Sequence, residues 1–256
     1  MNVNPYESPE TPGAPPEKKA GRRFTLVELL VVVVLIGLLI ACLLPARRSA
    51  TEAGRRMSCQ NNLHEIGLAL EQYHDVYGSF PPAYTVDADG KRLHSWRTLI
   101  LPYLEEKFLY DKIDLSKPWN DPANQFVLEA RIGTYQCPSA DIPKNHTTYL
   151  VVVANSGCFR GAEPRKREEV TEDHNRALLV IEVPADRAVP WMSPHDADVP
   201  SFLTAVAADK PAHPSGMQVV CVDGTIHTLS ADIEPNKLRA MISVAGDDET
   251  DAAGEK

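Results

Sequence analysis

No Gly-x-Ser-x-Gly elbow, phosphate-cradling loop or dinucleotide fingerprint occurs in this chain of 256 residues. The common sequence routes to nucleophilic, nucleotide and hydride chemistry are therefore missing. Among five cysteines there is no Cys-x-x-Cys, which argues against a zinc ribbon or a thioredoxin-like site. His64-Glu65 has Leu68 where a zinc-protease helix would carry its second histidine. Cations are also scarce. Residues 46–256 hold 22 of them against 31 acids, and a domain that acidic is a poor partner for nucleic acid. Internal repeats are absent. The chain reads as a non-enzyme with no cofactor, no metal and no nucleic-acid partner.

What it does have is one long apolar run. From Phe24 to Leu44 the only charge is Glu28. A helix of that length reaches about 31 Å, close to the thickness of a bilayer's hydrocarbon core. Lys18, Lys19, Arg22 and Arg23 stand just before it, which points to an inside N-terminus and a domain outside the cytoplasmic (inner) membrane, in the periplasm. An acid near the start of such a helix is costly against lipid and calls for a function or a partner.

The order of basic residues, Phe24-Thr25-Leu26-Val27-Glu28 and an unbroken apolar helix resembles the N-terminus of type IV prepilins and type II secretion pseudopilins. The resemblance implies cleavage between Arg23 and Phe24 by a prepilin peptidase and N-methylation of Phe24. It also implies a helix that first anchors and then packs against other pilin-like subunits, with Glu28 pairing to a neighbour's N-terminal amine. Arg23 departs from the family, which has a small residue, nearly always glycine, at that position. Two further readings of the segment stay open. One is a plain signal anchor. The other is a lipoprotein box at Leu39-Ile40-Ala41-Cys42, which would leave a lipidated Cys42.

Composition divides the chain four ways. Residues 1–23 are a proline-rich leader without a core, 24–45 the membrane helix, 46–246 an extracytoplasmic domain and 247–256 an acidic tail. Between Ser58 and Gly78, Leu63, Ile66, Leu70, Tyr73 and Tyr77 recur three or four apart, a helical stripe, and Gly78 with Phe80-Pro81-Pro82 stops it. Pro45 should bend the rod without ending it, giving one long bent helix over 24–77. A loop or short hairpin around Asp89-Gly90 is expected, then helical pieces over 96–113 and 121–132. Strands are expected at 149–153, 177–181, 217–222 and 225–229, and a last helix at 233–241. The layout is α+β: a pilin-like long helix packed on an antiparallel sheet with short helices.

His213, nine intervening residues, then Asp223-Gly224 resembles the H-x9-DG domain of prepilin-type cleavage/methylation proteins, a bacterial group without an assigned activity. Blocks around Cys59, Tyr73–Pro82, Ser95-Trp96, Cys137-Pro138-Ser139 and Val189-Pro190-Trp191 agree in order. Glu172-Asp173-His174-Asn175 departs from the family's turn. Asp223-Gly224 suits a type I′ hairpin turn, and His213 could reach back to it. A metal set of His213, Asp223 and His227 is the competing reading. Glu71 with His74, and His195–Asp198, are weaker metal candidates. The outer cysteines, Cys59, Cys137, Cys158 and Cys221, allow three pairings. The family-like blocks imply Cys59–Cys137, while Cys221 reads as simply buried.

The resulting expectation is a membrane-anchored, pseudopilin-like assembly protein of a type IV pilus-like or type II secretion-like system. The rival is a monomeric anchored domain that binds a glycan or surface ligand without forming a filament.

Overall fold

A computed structural model describes residues 25–171 and 176–244, and within the first helix the side chains of 41–50 are outside that description. The expectations for the leader, the Arg23–Phe24 bond, a lipid on Cys42, the 172–175 turn and the acidic tail fall on residues outside it. The chain divides into two compact units between Arg48 and Ser49.

Helix α1, Leu26–Tyr77, runs unbroken through Pro45. In the first unit it opens with a capping box. The Thr25 N–H donates to the Glu28 carboxylate at 2.9 Å, and the Glu28 N–H donates to Thr25 Oγ1 at 3.3 Å, satisfying two of the N–H groups a helix start leaves free. Leu26, Val27, Leu29–Ile36 and Leu38–Ile40 are all exposed, at 48% or more. Among the described residues no helix is long and apolar enough to cross a membrane. The apolar run continues into 41–44, whose side chains are not described.

In the second unit α1 changes character. Cys59, Leu63, Ile66, Ala69 and Leu70 are buried, the expected stripe, and each Leu or Ile so buried contributes about 1.5–3 kcal/mol. Gly78, at φ 72 with its N–H donated to His74 O at 2.7 Å, ends the helix. Its left-handed conformation is one that side-chain-bearing residues avoid. Strands β1, Tyr84–Val86, and β2, Arg92–Ser95, form the expected hairpin. The helical region beyond breaks into short pieces: α2, Trp96–Leu99, α3, Lys107–Tyr110, and α4, Gln125–Leu128. Pro102 and Pro122 head 3-10 turns there. Asp121 caps as expected, accepting from the Ala123 N–H.

Two-residue strands β3, His146–Thr147, and β6, Val189–Pro190, pair antiparallel. The main sheet has four antiparallel strands in the order β4-β5-β7-β8. They are β4 (Tyr149–Leu150), β5 (Leu178–Glu182), β7 (Met217–Cys221) and β8 (Ile226–Leu229). Every residue of β5 and β7 is buried, because both faces of the sheet are covered. Val180 and Val220 share a core with Leu63, Ile66 and Leu70 of α1. Leu178, Ile181, Met217 and Val219 share a second core with Phe202, Leu238 and Ile242. Those last three stand on helices α5, Val199–Val206, and α6, Pro235–Ile242. The sequence pattern predicts no helix where α5 stands. Asp198 is its cap, accepting from the Ser201 N–H at 2.8 Å, and Pro200 occupies its first turn.

Candidate functional site

Four segments far apart in sequence converge at one buried point. Glu52 and Cys59 lie two turns apart on α1 and so on one face. Cys137 follows the 3-10 turn Gly133–Tyr135, Glu182 ends β5, and His213 precedes β7 on a turn closed by the Gly216 N–H to His213 O, 3.0 Å. Gly216 sits at φ 115, and a Cβ there would overlap the Leu229 carbonyl, so no other residue fits this turn undisturbed.

At that point Cys59 Sγ and Cys137 Sγ are 2.6 Å apart, and both are free cysteines in this structure. His213 Nε2 lies 3.8 Å from Cys137 Sγ and 3.4 Å from Glu182 Oε2. The other ring nitrogen, Nδ1, faces Glu52 Oε1 at 2.8 Å, and Ser139 Oγ donates to the same Glu52 carboxylate at 3.2 Å. One ligand atom each from Cys59, Cys137, Glu182 and His213 lies within 4.8 Å of the others, and all four residues are buried. Neither oxygen of Glu182 has a hydrogen-bond partner of good geometry.

The electrostatics are those of a crowded, dry site. Burial alone would pull His213 down. Polar contacts with Cys137, Glu182 and Glu52 and the charge of Glu182 outweigh it and push the imidazole up to about 10. The contact with Cys59, then burial, drives the Cys137 thiol far above its usual range, with His213 opposing. Burial and the Glu182 charge likewise raise the Tyr149 phenol, whose oxygen accepts from Asn62 at 3.3 Å. Chemically the cluster offers two sulfurs, one imidazole nitrogen and one carboxylate to a soft or borderline metal ion.

The sequence-derived set of His213, Asp223 and His227 is replaced by a different one. Asp223 is taken by its own turn, accepting from the N–H (2.9 Å) and the hydroxyl of Thr225. The turn type also differs from expectation. A type I′ turn needs positive φ at both central residues, whereas Glu105 is the only described non-glycine residue with positive φ. The Gly224 N–H donates to Cys221 O, and the Cys221 N–H to Thr225 O, both at 2.9 Å, with Gly224 at φ 82. This is a three-residue connection, a type I turn closed by a glycine bulge, in which only the glycine is left-handed.

The other polar candidates have structural roles. Glu71 Oε1 accepts from Arg167 Nη2 at 3.1 Å, and His74 Nε2 accepts from the Arg167 N–H at 3.3 Å. In the 195–198 segment, Asp196 is paired with Arg97 at 2.7 Å, both side chains at most 1% exposed. The guanidinium also donates to the carbonyls of Trp191, Tyr149, Ser193 and His195, so its whole fork is engaged. Asp196 further accepts from Trp96 Nε1 and the Val151 N–H. Sequence reasoning missed Glu52, Arg97 and Glu182, and it offered Asp196 as a metal candidate, not as the partner of Arg97. A signal existed for Glu182 alone, an acid closing a strand that is otherwise wholly apolar.

Residues 48–178 match the model of one protein family, SBP_bac_10, described as "Protein of unknown function (DUF1559)". No curated protein and no solved structure matches the chain.

Proposed function

The chain belongs to the DUF1559 family, whose function is unknown, and we propose a membrane-anchored, pseudopilin-like assembly protein of a type IV pilus-like or type II secretion-like system. One observation carries this: the side chains from Leu26 to Ile40 are apolar apart from Glu28 and Gly37, and are exposed on every side of the helix. A helix apolar all round belongs in lipid or among other helices. The proposed partners are therefore the membrane, other pilin-like subunits and, at the Arg23–Phe24 bond, a prepilin peptidase. The protein would sit in the inner membrane, N-terminus in the cytoplasm and the second unit in the periplasm. Glu28 refines this reading. One oxygen of its carboxylate accepts the Thr25 N–H in its own capping box, so a neighbour's amine meets a carboxylate already oriented by its helix, with acceptor sites to spare.

The test is Glu28→Leu in living cells, scored by membrane content and by crosslinks to pilin-like subunits. Normal insertion with lost crosslinks is the expected result. Unchanged crosslinks would reduce Glu28 to a helix cap. A wild type that forms no crosslinks would favour the second reading, an anchored binding domain. The place for its ligand would be a cavity of about 270 Å³ lined by Tyr84, Arg92, Asp196, Asp198 and Ser201. There the Arg92 guanidinium stacks 4.0 Å over the Tyr84 ring, a polar, flat-sided setting that suits a sugar.

A further inference from the structure

We propose that Cys59, Cys137, Glu182 and His213 form a closed, structural zinc site, with Glu52 orienting the histidine from behind. Three observations point there independently of the helix-anchor reading. First, four side chains of the types zinc prefers present one atom each within 4.8 Å, in a wholly buried setting. Second, Glu182 is at 0% exposure, neither of its oxygens has a hydrogen bond of good geometry, and its one charged neighbour is the His213 ring at 3.4 Å, a poorly satisfied buried carboxylate that a cation would complete. Third, Glu52 Oε1 stands 2.8 Å from His213 Nδ1. That is the carboxylate–histidine arrangement that fixes the ring so its other nitrogen faces a metal.

The donor set selects the ion. Two thiolates disfavour calcium and magnesium, which take oxygen ligands, and favour zinc with its tetrahedral sulfur and nitrogen preference. On metal entry each thiol gives its proton to solvent as its sulfur takes the ion, and His213 likewise gives up the proton on Nε2, keeping the one on Nδ1 that faces Glu52, and ligates as the neutral ring. Zinc–sulfur bonds of about 2.3 Å in a tetrahedron place the two sulfurs about 3.8 Å apart. Binding therefore moves Cys59 and Cys137 apart from their present 2.6 Å. With four protein ligands and no open position the ion has no catalytic vacancy. Its effect is to tie α1, the Cys137 loop, the end of β5 and the turn before β7 into one unit.

The full chain, in detergent under reducing conditions, is titrated with Co²⁺ as a spectroscopic stand-in and then with Zn²⁺. One Co²⁺ per chain is expected, with thiolate-to-cobalt charge-transfer absorption and the strong visible bands of a tetrahedral site, both erased by one equivalent of Zn²⁺. Glu182→Gln keeps the side-chain shape, and His213 retains Glu52 as its carboxylate partner, so the metal-free fold survives while Co²⁺ binding weakens about tenfold or more. Glu52→Gln, acting only through His213, weakens binding about 10–100-fold and leaves the sulfur charge-transfer bands in place. Cys137→Ser cuts those bands. The proposal is overturned if the reduced, folded protein takes up no Co²⁺, or if Glu182→Gln and Cys137→Ser bind it as well as the wild type. A Cys59–Cys137 disulfide without metal in protein drawn from its native membrane overturns it equally.

Discussion

The two ends of helix α1 are both apolar, and they differ in arrangement. From Leu26 to Ile40 the apolar side chains follow one another and are exposed all round. From Cys59 to Leu70 they recur three or four apart and are buried, while Asn61, His64, Glu65 and Leu68 between them stay exposed. The uniform run asks for apolar surroundings on every side. The stripe asks for one apolar wall, and the chain supplies it from β5 and β7. Periodicity, more than total hydrophobicity, distinguishes a helix that completes a core from one that needs a partner outside its own fold.

The comparison breaks most severely at Arg97. Arg97→Ala leaves Asp196 buried without its cation, which should cost the second unit about 3–5 kcal/mol. The first stretch, which belongs to the other unit, should keep its membrane content. Urea unfolding of the second unit beside membrane fractionation checks both halves. Replacing both partners by apolar residues should cost less than either single change, because no lone charge then remains.

A matched pair of truncations sharpens the contrast. Leu63→Ala empties part of a core and should cost about 2–5 kcal/mol. Leu30→Ala, at 59% exposure, should change the unfolding free energy of the second unit by no more than about 0.5 kcal/mol. Equal effects would mean that the two stretches are not different in kind.

Much of this contrast was legible in the sequence. The stripe, the Gly78 stop, the Asp89-Gly90 hairpin and the main strands all rest on local periodicity and turn chemistry. What was not legible depends on long-range meeting. Glu52 and His213 are 161 residues apart, and no spacing rule joins them. Arg97 looks like any surface cation until its five donors find four carbonyls and the Asp196 carboxylate, all supplied from distant parts of the chain. The H-x9-DG motif was visible as a pattern, but its histidine and its aspartate serve different sites, which a motif alone does not reveal.

Smaller effects are expected at the edges of the packed unit. Asp198→Ala removes the cap of α5 and should cost about 0.5–2 kcal/mol near neutral pH. Hydrogen bonds from Ser201 hold the Asp198 carboxyl below its usual range. The cap's contribution is therefore present above the ordinary aspartate pKa and is lost as pH falls through the lowered one. Wild type and variant should converge in stability in acid, seen by denaturation at stepped pH. The smallest effect concerns Cys158 and Cys221, whose thiols burial pushes up to about 12. At pH 8 neither should react with iodoacetamide in the native protein, and both should react once it is unfolded, as peptide mass mapping will show.

The central claim is that the uniform stretch serves as an anchor while the stripe serves the fold. Alkaline carbonate extraction of membranes from cells making the full chain tests it most directly. The account predicts that the wild type stays in the pellet. It also predicts that Val33→Arg with Leu35→Arg, at about 2.5–3.5 kcal/mol of insertion cost each, releases a protein whose second unit is still folded. A wild type recovered in the alkaline supernatant would contradict it.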